Sequence, residues 1–108
     1  SPVTLVVGAP ALDIPDAIHA DNWFMAGLLV ERHRPACVVV DLASGLCEAL
    51  GLVPALRQRL PDVRLIGLAG EDTTEADVAE LVAAGFTVLG WPAQVPEIAA
   101  ALKGACWQ

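Results

Sequence analysis

Hydrophobic residues in this chain fall into short unbroken runs, separated by stretches in which they recur every three or four positions. The runs are Val3–Val7, Ala36–Val40, Val63–Ala69 and Phe86–Leu89. A run with no polar alternation suits a strand covered on both faces, as in the middle of a parallel sheet. The most apolar of them, Ala36-Cys37-Val38-Val39-Val40, stops abruptly at Asp41 and the small-residue loop Leu42-Ala43-Ser44-Gly45. The first run closes at Gly8-Ala9-Pro10. Ala17-Ile18-His19-Ala20 reads as a short edge strand within an otherwise illegible stretch carrying Asp13, Pro15, Asp16 and Asp21.

Helices are expected between the runs. Asp21 or Asn22 can cap one that reaches about Arg34, where Pro35 stops it. Met25, Leu28 and Leu29 are its expected core stripe. Trp23, Ala26, Gly27 and Val30 make a second apolar side, which calls for a cover, most simply the neighbouring irregular segment. Leu46, Cys47 and Leu50 suit an early helical turn, and Pro54 suits the opening of a helix through Leu60. Thr74 and Asp77 form a capping pair for a helix through Ala84, with Val78, Leu81 and Val82 inward and Gly85 as its stop. A last helix is expected from near Pro96 to Gly104, with Ile98, Ala101 and Leu102 inward and Lys103 near its negative end. Strands alternating with helices through short links build a parallel α/β sheet of four or five strands with helices on both faces and right-handed crossovers.

Composition narrows the function classes. At 108 residues the chain is one domain, and its 56% apolar content exceeds the usual ~45–50%. A formal net charge of −7 repels phosphate backbones and anionic lipid, so neither nucleic acid nor a membrane surface is expected as a partner. No apolar run approaches the ~20 residues of a membrane span. The cysteines, Cys37, Cys47 and Cys106, are odd in number and lack metal spacing. Cys37 falls inside an apolar strand, and the other two have no basic neighbour to activate a thiolate. His19 and His33 have no second ligand at metal spacing. No cofactor or metal is therefore expected, and a reducing cytoplasm is the plain inference. Ser1-Pro2 and Cys106-Trp107-Gln108 read as cut points in a longer, multidomain protein.

Three stretches carry a more specific likeness: "LLVERHRPACVVVDL", in which a helix ends at a Pro before the strand bearing Asp41; "PDVRLIGLAG", the fourth strand; and "AELVAAGFTVLGWP", a helix, Gly85, a fifth strand and Pro92. From Ala26 to about Leu102 the chain resembles a receiver domain of the two-component response regulators, with a CheY-like (flavodoxin-like) fold. The resemblance implies a phosphoacceptor at Asp41. It also implies a metal-binding acidic pair after the first strand, where Gly8, Ala9 and Pro10 stand. The family's hydroxyl at the end of the fourth strand is Ala69, and its lysine before the last Pro is Trp91. The Pro that follows its aspartate is Gly45 here. Between Val7 and Asp41 there are fewer residues than the family uses, so the first crossover helix is expected to be reduced or lost.

Of the signature groups only Asp41 is kept, and a lone carboxylate has neither cation nor hydroxyl to hold a phosphoryl group. The resemblance then implies a degenerate receiver: not an enzyme, independent of phosphorylation, and acting as a homodimer or on a partner protein beside a fused output domain. In that role Asp41 is vestigial, and Ala69 and Trp91 are degenerate switch positions. Trp91 either anchors a partner or plugs the vacated pocket; with Pro92 and Trp23 it is an interaction candidate. By resemblance, residues from about Val78 to Leu102 supply a dimer or output surface. Two alternatives stay open: a phosphoryl-accepting receiver whose metal is held by displaced acids such as Asp13 or Asp16, and a flavodoxin-like domain binding a small ligand near Gly8, Asp41 and Ala69.

Overall fold

The apolar run at the centre of the chain is β3 (Cys37–Asp41), flanked on both sides by parallel neighbours. The computed structural model describes residues 3–8, 17–42, 46–70 and 72–90. In chain order these form β1 (Thr4–Val7), β2 (Ala17–Ala20), α1 (Trp23–His33), β3, α2 (Leu46–Arg59), β4 (Arg64–Ala69), α3 (Glu75–Ala83) and β5 (Phe86–Gly90). The strands make one all-parallel sheet in the order β2-β1-β3-β4-β5. The expected edge strand at Ala17–Ala20 is present, paired with β1 in register from Thr4↔Ala17 to Val7↔Ala20.

Every crossover from β2 onward moves the same way across the sheet. Right-handed connections then place α1, α2 and α3 on one face. The packing agrees: Ala26 and Val30 of α1, Val53 and Leu56 of α2 and Leu81 of α3 join Leu5, Val7, Val38, Val40, Leu65 and Phe86 in one buried cluster. The alternate strand residues Val6, Val39, Ile66 and Leu68 point to the opposite face and are completely buried too. That double burial explains the absence of polar alternation in β1, β3 and β4. The last helix, expected from near Pro96 to Gly104, and the reduced first crossover, apart from Gly8, lie outside the described residues.

The helix ends follow their sequence signals. Asn22 caps α1, its side chain accepting from the Met25 N–H at 2.8 Å. Arg34 closes α1 in the left-handed region (φ 46°), just before Pro35. Thr74 and Asp77 form the reciprocal capping box of α3, each side chain accepting from the other's N–H at 3.1 Å. Gly85 (φ 102°) turns the chain into β5, with its N–H bonded to the Val82 carbonyl and the Arg57 guanidinium lying against it.

Three expectations are corrected. In α1 it is Ala26 and Val30 that are buried, whereas Met25 (41% exposed) and Leu28 (55%) face outward, with Leu29 half-buried. The helix crosses β1 and β2 closely, and small side chains permit that approach where large ones do not. In α3, Leu81 is buried but Val82 is exposed. Pro54 does not open a helix: α2 runs unbroken through it from Leu46 to Arg59. Burial of Ala49, Val53 and Leu56 on either side of Pro54 outweighs the missing N–H.

These two backbone features predict opposite effects in urea denaturation. Pro54→Ala restores a helix donor on an exposed side and should raise stability by roughly 1–3 kcal/mol. Gly85→Ala forces a side chain into a left-handed backbone against Arg57 and should lower stability by about 1–2 kcal/mol.

Candidate functional site

In a sheet of order β2-β1-β3-β4-β5 the strand order reverses between β1 and β3, and ligands gather at the carboxyl ends beside that reversal. The residues ending the described strands there are Gly8 just past β1, Asp41 on β3, Ala69 on β4 and Gly90 on β5. Val7 pairs with Val40, so Gly8 comes level with Asp41; Asp41 pairs with Leu68, and Ala69 with Gly90. Asp41 is half-buried, as is Ala69. The structure thus brings together three positions that the resemblance marks: Gly8, Asp41 and Ala69.

The described strand ends beside Asp41 carry small or apolar side chains. Gly8 offers no side chain, and its N–H, at φ 76°, is already bonded to the Ala20 carbonyl at 3.0 Å. Leu42, the residue after Asp41, is buried and folds back over Gly67 of β4. The nearest hydroxyl along the chain from Ala69 is that of Thr73. Its oxygen accepts from the Gly70 N–H at 2.9 Å while its own N–H donates to the Gly70 carbonyl at 3.1 Å, so it holds the turn that leads to Thr74 and α3. Sequence reading passed over Thr73. The signal was a glycine followed at three residues by a threonine, the spacing of a side-chain-closed turn.

The described arginines gather at one edge of the sheet. Arg32 lies in the last turn of α1 and Arg34 caps it, Arg57 and Arg59 lie in the last turn of α2, and Arg64 opens β4. All of these are at the amino edge. Arg34 donates to the Arg59 carbonyl, Arg57 to the Val63 carbonyl, and Arg59 pairs with Glu31. Asp21, Asp41, Asp72, Glu75 and Asp77 lie at the carboxyl edge or in the turns leaving it, where no described residue is cationic. Among the described residues there is no cluster of three His, Cys, Asp or Glu side chains able to hold a metal ion. None of the described helices is long and apolar enough to cross a membrane.

The remaining candidates separate. Trp91 and Pro92 lie outside the described residues, as do Asp13, Asp16 and Gly45. Trp23 is half-buried at the start of α1, packed against the core, with its indole N–H buried and without a hydrogen-bond partner among the described residues. Its neighbour Phe24, which the sequence did not single out, is 79% exposed. His19 and His33 are exposed.

With this geometry established, the fold can be placed: it is the CheY-like fold of response-regulator receiver domains. A response regulator from Thermotoga maritima superposes with a TM-score of 0.80 at 22% identity, over 100% of this chain and 99% of that one. A two component transcriptional regulator AraC from Clostridium phytofermentans gives 0.73 at 21% identity, over 99% of this chain and 93% of that one. NtrX from Brucella abortus, solved in complex with ATP, gives 0.76 at 15% identity; 97% of this chain is covered, but only 26% of NtrX. No protein-family model and no curated protein matches the sequence.

The turn after β4 is open to test. Thr73→Val removes the acceptor of the Gly70 N–H, and Thr74→Ala removes the cap of α3. Each should cost about 1 kcal/mol in denaturant melts. Amide exchange should accelerate at Gly70 in the first variant and at Asp77 in the second.

Proposed function

We propose that this chain is a degenerate receiver domain: a regulatory protein-contact module of bacterial signalling that works without accepting phosphate and has no catalytic activity of its own. The observation that carries this reading is the edge row Gly8, Asp41, Ala69. It joins the family's phosphoacceptor position to positions that offer neither carboxylate nor hydroxyl, at an edge where no described residue is cationic. Phosphoryl transfer to a carboxylate brings two anionic groups together, and the reaction depends on a metal ion and fixed positive charge to offset that repulsion. Trp91 stands where the resemblance implies the charge-neutralising lysine, which supports the same conclusion.

The module acts in the cytoplasm, beside a fused output domain, through a homodimeric or partner-protein contact. The surface that the family commonly uses for this begins at Val78 of α3 and includes β5. Within its described part, the exposed Val82 is an apolar contact point.

The test is direct. Incubation with acetyl phosphate and Mg²⁺ should add no mass at Asp41, and beryllofluoride with Mg²⁺ should leave the amide shifts of residues 38–42 and 67–70 unchanged. A gain of one phosphoryl mass that Asp41→Asn abolishes would restore the phosphoacceptor role and end this reading.

A further inference from the structure

The amino edge of the sheet holds most of the positive charge of a strongly negative chain. Thirteen carboxylates outnumber six lysines and arginines, yet five of those six, Arg32, Arg34, Arg57, Arg59 and Arg64, stand at this edge. Carboxylates are in excess, but only Arg59 has one as an ion-pair partner among the described residues. The preference of helix ends for cations accounts for Arg32, Arg57 and Arg59. It does not account for Arg64, which opens a strand.

Arg57 and Arg64 line one hollow of about 370 Å³, together with Asp62, Val63, Gly85 and Thr87. That volume is at the small end of the ~300–1,000 Å³ of ligand sites. Arg57 is half-buried and held in place: its Nη1 donates to the Val63 carbonyl at 3.1 Å, and its Nη2 occupies the space that a Cβ at Gly85 would need. A guanidinium carries five N–H donors in a rigid fork, so this tether leaves most of them unused. The Arg64 and Thr87 side chains are exposed and make no hydrogen bond or ion pair among the described residues. Asp62, also exposed, is the one carboxylate of the lining.

We infer that this hollow binds a phosphate monoester. Arg57 and Arg64 give charge-assisted hydrogen bonds to the phosphoryl oxygens, and the Thr87 hydroxyl adds a third donor. A carboxylate offers two oxygens in one plane. Two forks and a hydroxyl brought from α2, β4 and β5 suit a tetrahedral group instead. Because Arg57 is already held, little further ordering is needed when the ligand enters. Near pH 7 the monoester carries close to two negative charges. Two arginines and one aspartate leave the lining with a net single positive charge, so Asp62 limits the affinity. Glu31 opposes the ligand little, being paired with Arg59. The carboxylates of the carboxyl edge lie a strand length away, roughly 17–20 Å, which is about two Debye lengths at physiological ionic strength. Both a free organic phosphate and a phosphorylated side chain present the group that the hollow fits.

This inference goes beyond the proposed function and does not rest on it, since the ligand is held without a covalent bond at the edge away from Asp41. The test is an NMR titration of the 108-residue chain with phenyl phosphate, free of divalent metal and at constant ionic strength. Amide shifts of residues 62–65 and 85–87 should move and saturate by about 10 mM. Arg64→Gln should weaken binding roughly tenfold or more. Asp62→Asn should strengthen it, and Arg32→Gln, outside the hollow, should leave it unchanged. Arg57→Gln also cuts the tie to Val63, so Arg64→Gln, whose side chain has no described partner to lose, is the deciding variant; its unfolding midpoint should match that of the parent. A capped phosphoserine tripeptide that binds more tightly than phenyl phosphate would assign the site to a phosphorylated side chain, and the reverse order to a free organic phosphate. Shifts that do not saturate, benzoate that binds equally well, or saturable binding that Arg64→Gln leaves intact would each overturn the inference. None of these outcomes bears on Asp41, whose phosphorylation is read by mass.

Discussion

The structure depends on the placement of β3 in the middle of an all-parallel sheet. A parallel strand has to be covered on both faces, and its return connection has to cross the sheet as a right-handed unit. Those two requirements select the residues of β3, which are buried from Cys37 to Val40 and become polar only at Asp41. They also fix the direction in which every described helix leaves and returns. As a result all the strand ends of one kind lie on one edge, and Asp41 meets the ends of β1 and β4 there.

The same geometry collects the described arginines at one edge. A helix favours cations in its last turn and anions in its first. When each helix runs antiparallel to the strands, its last turn falls at the amino edge of the sheet. Arg32, Arg57 and Arg59 accordingly lie in last turns at that edge, beside Arg34 and Arg64, and the first turn of α3 contributes Glu75 and Asp77 to the other. A receiver that transfers phosphate has to work against this tendency by placing metal and lysine among its carboxylates. The scale of the task is plain: two unit charges about 4 Å apart repel by roughly 4 kcal/mol at an effective dielectric of 20, nearly a thousandfold in rate or affinity. The described carboxyl edge carries the anions that the fold favours and none of the cations that the chemistry demands.

Much of this was legible in the sequence, and the failures have a common cause. Unbroken apolar runs located β1, β3 and β4 to within a residue or so, because double burial leaves no other reading, and β5 followed from its short run after Gly85. Asn22, Thr74 with Asp77, and Gly85 marked helix ends through local hydrogen bonds and backbone angles, which do not depend on distant parts of the chain. The errors arose where tertiary contact decides. Met25, Leu28 and Leu29 satisfy helical spacing in α1, as do Trp23, Ala26, Gly27 and Val30, of which Gly27 is exposed, and hydrophobicity favours the first set. The sheet takes the second, because α1 approaches β1 and β2 closely. Pro54 has the look of a helix start until Ala49 and Val53 are seen to be anchored ahead of it. Asp41, Gly8 and Ala69 were placed in one row by the strand pattern together with the family likeness; neither Thr73 nor the exposure of Phe24 was visible to either.

On the proposed reading, loss of the phosphoryl switch would change what such a domain is able to regulate. A ligand or modification shifts a conformational equilibrium only by its differential affinity for the two states, and a receiver that accepts no phosphate has no such differential from phosphorylation. Its contribution to an assembly is then a fixed contact energy, drawn on according to concentration. Each 1.4 kcal/mol of contact moves the association midpoint tenfold. On that reading the level of the protein itself would take the place of the phosphoryl group as the input.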